Sequence, residues 1–132
     1  MTIVCDVSAA ISFLLRGEKS EQIAEILKNA DRVVAPELFI VELSNTLWKY
    51  TRFQGMSPQT AKDLHLNGMR MIHEFESMIS LWPIALDESI RHSHSSYDMM
   101  YLLTAKRHRA FLLSLDKKLN QLSAKQGIQT LQ

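Results

Sequence analysis

Four acidic residues, Asp6, Glu42, Asp98 and Asp116, stand where a predicted α/β sheet delivers side chains to one edge. Carboxylates gathered at such an edge are suited to a divalent cation, because hard cations take oxygen ligands. Asp6 closes the apolar run Ile3-Val4-Cys5, and Asp116 closes Phe111-Leu112-Leu113-Ser114-Leu115, so each sits where a buried parallel strand ends. Glu42 interrupts a strongly apolar helical stretch running from Glu37 to Trp48, and a carboxylate there must reach water, a partner or a metal. Its spacing puts Leu38, Glu42 and Asn45 on one helix face. Asp98 follows the capping sequence Ser95-Ser96-Tyr97 and opens a helix from Tyr97 to Arg107, where the positive end of the helix favours an anion.

Each acid taken singly also has a plainer reading, since Asp at a strand end or helix start is commonly a cap or turn former. For Asp116 both readings stay open: it could cap a helix from Lys117 to Lys125 or serve as a ligand. Asp87 reads as an ordinary helix cap, and the other acids fit solvated faces or loops.

One chemistry that a metal held by such a quartet would support is phosphodiester hydrolysis. That reaction needs an activated water, neutralised phosphate charge and help for the leaving oxygen, all of which a bound metal supplies. Four unpaired acids close together repel one another and raise at least one proton affinity, so metal binding relieves the site. Asp6 and Asp98 are read as principal ligands, Glu42 and Asp116 as ligands directly or through water, and Ser114 as orienting the cluster.

These residues need a scaffold, and the chain alternates strands with helices. Ile3-Cys5, Val33-Ala35, Trp82-Leu86, Phe111-Leu115 and Ile128-Leu131 read as strands. Helical patterns cover Ser8-Leu15, Glu21-Lys28, Glu37-Phe53, Pro58-Ile79, Tyr97-Arg107 and Lys117-Lys125. That order predicts a mostly parallel sheet covered by helices. Ser57-Pro58 marks a helix start, with Ser as cap and Pro at the first helical position. The apolar residues of the Pro58-Ile79 helix, with Trp48 and Phe53 on the preceding one, outnumber what a single core face requires.

A chain of 132 residues with 46% hydrophobic content supports one core, and a single domain spanning 1-132 is expected. The lone Cys5 excludes a disulfide within the monomer. The N-terminus shows no basic stretch followed by a signal-length apolar segment, and no run approaches a membrane span, so a cytoplasmic protein is expected. Fifteen basic side chains face fourteen acidic ones. With the four site acids set aside the remainder is basic, which leaves material for a phosphate-attracting rim among Arg16, Lys49, Arg52, Lys106, Arg107, Arg109, Lys117 and Lys118. The five His residues do not follow a zinc pattern. A haloacid-dehalogenase phosphatase needs a second acid where this chain has Ser8, and a receiver domain needs paired acids after its first strand.

Asp6-Val-Ser8, Ala35-Pro36-Glu37 leading to Glu42-Leu-Ser-Asn45, Tyr97-Asp98-Met-Met-Tyr101 and Ser114-Leu-Asp116 together resemble the PIN-domain ribonucleases, especially the toxins of VapBC toxin–antitoxin pairs. The resemblance spans nearly the whole chain in order. It implies a three-layer α/β/α sandwich in which Asp6, Glu42, Asp98 and Asp116 hold Mg²⁺ or Mn²⁺ and RNA is cut hydrolytically. Ser114 falls at the family's supporting Ser/Thr position, Asn45 at a polar position beside Glu42, and Ser8 completes the first motif. The resemblance further implies a homodimer and a VapB-like antitoxin whose segment lies between the Glu37-Phe53 and Pro58-Ile79 helices, near Met56, Met69, Met71 and Met78. Two positions depart from the pattern: His94 replaces an apolar or small residue, and Arg109 stands where many relatives have Gly. A PIN-like nucleic-acid-binding regulator with little or no nuclease activity is the alternative.

Overall fold

The computed structural model describes residues 1–131, and its chain alternates as the apolar pattern requires. The elements are β1 (Thr2–Cys5), α1 (Val7–Leu15), α2 (Ser20–Lys28), β2 (Arg32–Pro36), α3 (Leu38–Gln54), α4 (Pro58–Arg70), β3 (Glu74–Glu76), α5 (Met78–His92), α6 (Ser96–His108), β4 (Phe111–Leu113) and α7 (Lys117–Lys125). All strand pairs are parallel, in the order β3-β2-β1-β4. The chain therefore leaves β1 on one side for β2 and β3, then returns on its other side as β4. A crevice forms beyond the carboxyl ends of β1 and β4 at that reversal, the usual ligand position in an open parallel sheet.

Both faces of the sheet are covered, which makes the molecule a three-layer α/β/α sandwich. Strand residues alternate between the layers. Ile3 and Cys5 of β1 join Val33, Ala35, Phe39, Leu43 and the α1 residues Ala9 and Ala10 in one core. Val4 and Val34 point the other way, into a second core with Leu81, Ala85, Met99, Leu102 and Leu119. Helix α6 is enclosed along its middle: Met99 to Ala105 are all buried, so its apolar character runs round the helix instead of forming one stripe.

Several sequence expectations change. Trp82-Leu86 is not a strand but the middle of α5, where Leu81 and Ala85, four residues apart, face the core and Trp82 and Leu86 face outward. Pro83 lies inside that helix, and the short apolar run around it fits a strand as well as a buried helix segment, which gave the strand-like signal. Asp87 is consequently interior to α5 and caps nothing. The Pro58-Ile79 helix stops at Arg70, and the edge strand β3 follows it. Glu74-Phe75-Glu76 alternates polar and apolar residues with the period of a strand, a signal masked by the apolar residues on either side. Ile128-Leu131 contributes only an isolated bridge between Leu112 and Thr130, after Gly127 turns the chain at positive φ.

The edge strand is fastened by charge. Arg32 pairs with Glu74 at 2.8 Å and contacts His108 Nδ1 at 2.7 Å, while His108 Nε2 lies 2.6 Å from Glu76. Arg107, 3.4 Å from Glu76, completes a network that ties β3 to β2 and to the end of α6.

Arg109 caps α6 in the left-handed region, with φ 49°. A Cβ is unfavourable there, which is why glycine is common at this helix position. Arg109→Gly is expected to stabilise the protein by about 0.5–1 kcal/mol, the relief of left-handed strain exceeding glycine's extra unfolded-state entropy. Urea denaturation checks this; a lower midpoint for the variant would contradict it.

Candidate active site

The four acids arrive at one cavity from separate elements. A cavity of about 340 Å³ is lined by Asp6, Val7, Ser8, Ile11, Glu42, Thr46, Asp98, Tyr101 and Asp116. Asp6 follows β1 and caps α1, its side chain accepting from the Ala9 amide at 3.0 Å. Asp116 follows the β4 turn and caps α7 by accepting from the Leu119 amide at 2.9 Å. The two readings of Asp116 are therefore compatible, since it both caps a helix and faces the cavity. Glu42 projects from α3. Asp98 sits in the first turn of α6, where Ser95 is the cap and accepts from the Asp98 amide at 3.2 Å.

Serine hydroxyls hold the first and last of these acids together. Asp6 Oδ1 accepts from Ser8 Oγ at 2.7 Å, and Asp6 Oδ2 accepts from Ser114 Oγ. Ser114 Oγ in turn accepts from the Asp116 amide at 3.0 Å, while Ser8 Oγ accepts from the Leu115 amide at 2.9 Å. Each hydroxyl thus donates to Asp6 and accepts from the β4–α7 turn, fixing Asp116 relative to Asp6. Three donors on Asp6 still leave a carboxylate lone pair for a ligand.

Tyr101 was not singled out as a site residue from the sequence, yet its hydroxyl donates to Glu42 Oε1 at 2.6 Å. It lies three residues after Asp98, on the same face of α6, so the helical spacing was the available signal. Thr46 likewise lines the cavity one turn after Glu42, whereas Asn45 is exposed and lies outside the cavity lining. Helix α3 is rotated so that position 46 faces inward.

The electrostatics connect the four acids. Burial pushes the Asp6 carboxyl up to about 6, against hydrogen bonds from Ser114, Ser8 and the Ala9 amide that lower it, and the Glu42 charge adds to the rise. Glu42 is raised by burial and by Asp98, with the Tyr101 hydrogen bond opposing. Asp98 is raised by burial and by Asp116, with His94 and the Ser95 hydroxyl opposing. Each acid therefore feels the next across the cavity, the signature of like charges held close. Burial pushes the Tyr101 hydroxyl far above its ordinary range, so it acts only as a donor to Glu42.

The donor set is all oxygen, as Mg²⁺ or Mn²⁺ prefers, and among the described residues no basic side chain lines the same cavity to offset its negative charge. Among the described residues, three ligand-type side chains come within 4.8 Å of one another only at Glu74, Glu76 and His108; the four cavity acids stand wider apart. Arg32 and Arg107 already neutralise those acids, so that cluster is an ion-pair network and the quartet is the better cation site. Of the basic residues expected to form a rim, Lys106, Arg107 and Arg109 lie at the end of α6 remote from Asp98 and do not flank the cavity.

Tyr101→Phe should move Glu42 further in the direction it is already shifted, because the bond that lowers it disappears. Any activity requiring ionised Glu42 then loses its acidic limb at higher pH. A pH–rate profile for the variant, compared with wild type, should show that limb displaced upward; an unchanged limb would remove Glu42 ionisation from the account.

Comparison with known proteins adds family to geometry. The PIN domain family model matches residues 3–125. The chain is 27% identical over 125 residues to Ribonuclease VapC3 of Pyrobaculum aerophilum, covering 90% of this chain and 92% of that protein. Among solved structures it is similar to PAE2754 from Pyrobaculum aerophilum, with a TM-score of 0.74 and 20% identity over 98% of this chain and 92% of that one. It is also similar to VapBC2 from Rickettsia felis bound to a DNA fragment from their promoter, with a TM-score of 0.68 and 9% identity over 99% and 98% of the two chains. FitAcB from Neisseria gonorrhoeae gives a TM-score of 0.62 and 16% identity, over 98% of this chain and 96% of that one.

Proposed function

We propose, since this chain belongs to the PIN-domain family, that it is a single-domain, divalent-metal-dependent endoribonuclease and the toxin of a VapBC-type pair. The observation that carries the reading is the convergence of Asp6, Glu42, Asp98 and Asp116 on one cavity at the sheet's carboxyl edge. Asp6 and Asp98 would hold Mg²⁺ or Mn²⁺ as principal ligands, with Glu42 and Asp116 completing the set directly or through water. A metal held there supplies phosphate charge neutralisation and a water acidified toward hydroxide. The chain's own residues do the positioning: Ser8 and Ser114 fix Asp6 against Asp116, and Tyr101 fixes Glu42. Incubating purified protein with structured RNAs and DNA, with Mg²⁺, Mn²⁺ or chelator, tests the assignment. Metal-dependent RNA cleavage supports it; cleavage undiminished by chelator overturns it, and RNA binding without cleavage favours a silent regulator.

A freely active ribonuclease harms its own cell, which is why a VapB-like antitoxin belongs to the reading. A cavity of about 350 Å³ between α3 and α4, lined by Leu47, Trp48, Thr51, Pro58, Ala61 and His65 among others, has the apolar floor a partner helix requires. The methionines expected there are placed elsewhere: Met56 and Met71 pack on one core, Met78 on the other, and none of the four lines the cavity. Co-expression with the small open reading frame beside the gene should give a stable complex with suppressed cleavage.

The homodimer is part of the same proposal; Trp48, Phe53 and Ile79 are exposed as first expected, but more of the exposed apolar surface lies on α5 than on α4. On α5, Ile79, Trp82, Leu86 and Ile90 form an exposed apolar stripe, whereas on α4 only Leu66 is a large exposed apolar residue among the described residues. Sedimentation at micromolar concentration should report a dimer, and a strictly monomeric protein would contradict it. No helix among the described residues is long and apolar enough to cross a membrane, and a cytoplasmic location is proposed on the family reading.

A further inference from the structure

His94 lies in the turn between α5 and α6, directly after Ser93, which ends α5 at φ 52°. Its amide donates to the Ser89 carbonyl at 3.2 Å, anchoring the turn. The side chain is 16% exposed, and its Nδ1 lies 3.2 Å from Asp98 Oδ2. Both ring nitrogens are shielded from solvent, and neither makes a well-aligned hydrogen bond among the described residues. A polar ring enclosed with so little hydrogen bonding works against stability, so packing alone does not account for a histidine here.

Its neighbour does. Each of the other three acids has an oriented donor: Ser8, Ser114 and the Ala9 amide for Asp6, Tyr101 for Glu42, and the Leu119 amide for Asp116. Asp98 is served only from its own helix start, by the Ser95 hydroxyl and by the His94 ring, whose Nδ1 stands 3.2 Å from Oδ2. A carboxylate ligand gripped at one oxygen presents the other in a fixed direction, and such outer-shell contacts strengthen metal binding.

We propose that His94 is a positioning residue for Asp98, its Nδ1, 3.2 Å from Oδ2, restraining that oxygen so that the opposite one faces the metal. The proposal rests on the quartet being the metal site, and its failure is separable from the failure of that reading.

The test is Mn²⁺ affinity, measured by electron paramagnetic resonance titration on wild type, H94A, H94L, H94N and D98N at matched thermal stability. Loss of an outer-shell partner is expected to weaken Mn²⁺ binding by about 10–100-fold in H94A and H94L. H94N places an amide N–H near the position of Nδ1 and should restore most of the affinity, which a purely structural role for the ring would not predict. Wild-type affinity in H94A and H94L, or H94N as weak as H94L, overturns the proposal while leaving the quartet intact. Equal binding by wild type and D98N removes the quartet reading and this proposal with it.

Discussion

Asp98→Asn and Asp6→Asn are each expected to reduce RNA cleavage by about 10²–10³-fold or more, the size of effect seen when a preorganised charge-stabilising group is removed from an active site. The substitutions discriminate well because the acids have structural duties that asparagine preserves. Asp6 caps α1 through the Ala9 amide, and Asn is as good a cap as Asp. Asp98 leaves the capping bond at its own amide untouched, since that bond runs to Ser95 Oγ. Both variants are therefore expected to fold, which circular dichroism with thermal melting checks. At neutral pH Asp6→Asn should even gain stability, with about 3 kcal/mol as the ceiling set by the raised carboxyl. Part of that gain is lost because Ser114 must give up its bond to Asp6 Oδ2. Cleavage within a few-fold of wild type in either variant would sink the assignment.

The second large effect is on stability in the absence of metal. The Asp6 carboxyl titrates near its ordinary 3.8 in the unfolded chain and at about 6 in the folded protein. Between those values the folded protein keeps a proton that the unfolded chain has released, so stability must fall as pH rises through that window. The full loss is about 3 kcal/mol, reached above the folded value. Glu42 and Asp98 are shifted in the same direction and add to the slope. In chelator, the denaturation midpoint should therefore drop between about pH 4 and pH 7, and the drop should shrink in Asp6→Asn. Adding Mn²⁺ at a hundred times its dissociation constant should restore about 2.7 kcal/mol. Recovery should be larger at pH 7 than at pH 5, because protons compete for the same oxygens. A wild-type profile matching Asp6→Asn through this window would show that Asp6 is not held as described.

How much of this was legible in the sequence differs by element. Asp6 and Asp116 could be read because buried parallel strands leave uninterrupted apolar runs, and a polar residue that ends such a run marks the sheet edge. Glu42 was legible for the opposite reason, as a charge set inside an apolar helix. The middle of the chain was harder. From Pro58 to Leu86 the apolar residues are dense enough to satisfy a helix or a strand, and only three-dimensional packing selects β3 for Glu74–Glu76 and a helix for Trp82 and its neighbours. Tyr101 was present in a quoted motif, but its bond to Glu42 joins residues 59 apart in sequence, and no local pattern announces such a contact. The choice between Asn45 and Thr46 turned on a helix rotation of one residue, finer than the spacing rule resolves. His94 was noticed as a departure from its relatives, and its meaning appears only beside Asp98.

Where the metal sits is the most direct test of the account. Two groups of ligand-type residues lie at different places in the molecule, the quartet around its cavity and the Glu74–Glu76–His108 network at the end of α6. Crystals grown with Mn²⁺ and measured at its absorption edge locate the ion without assumption. The account predicts an anomalous peak between the carboxylates of Asp6 and Asp98, lost in Asp98→Asn crystals; a peak at Glu74, Glu76 and His108 alone, or none at the quartet, would contradict it.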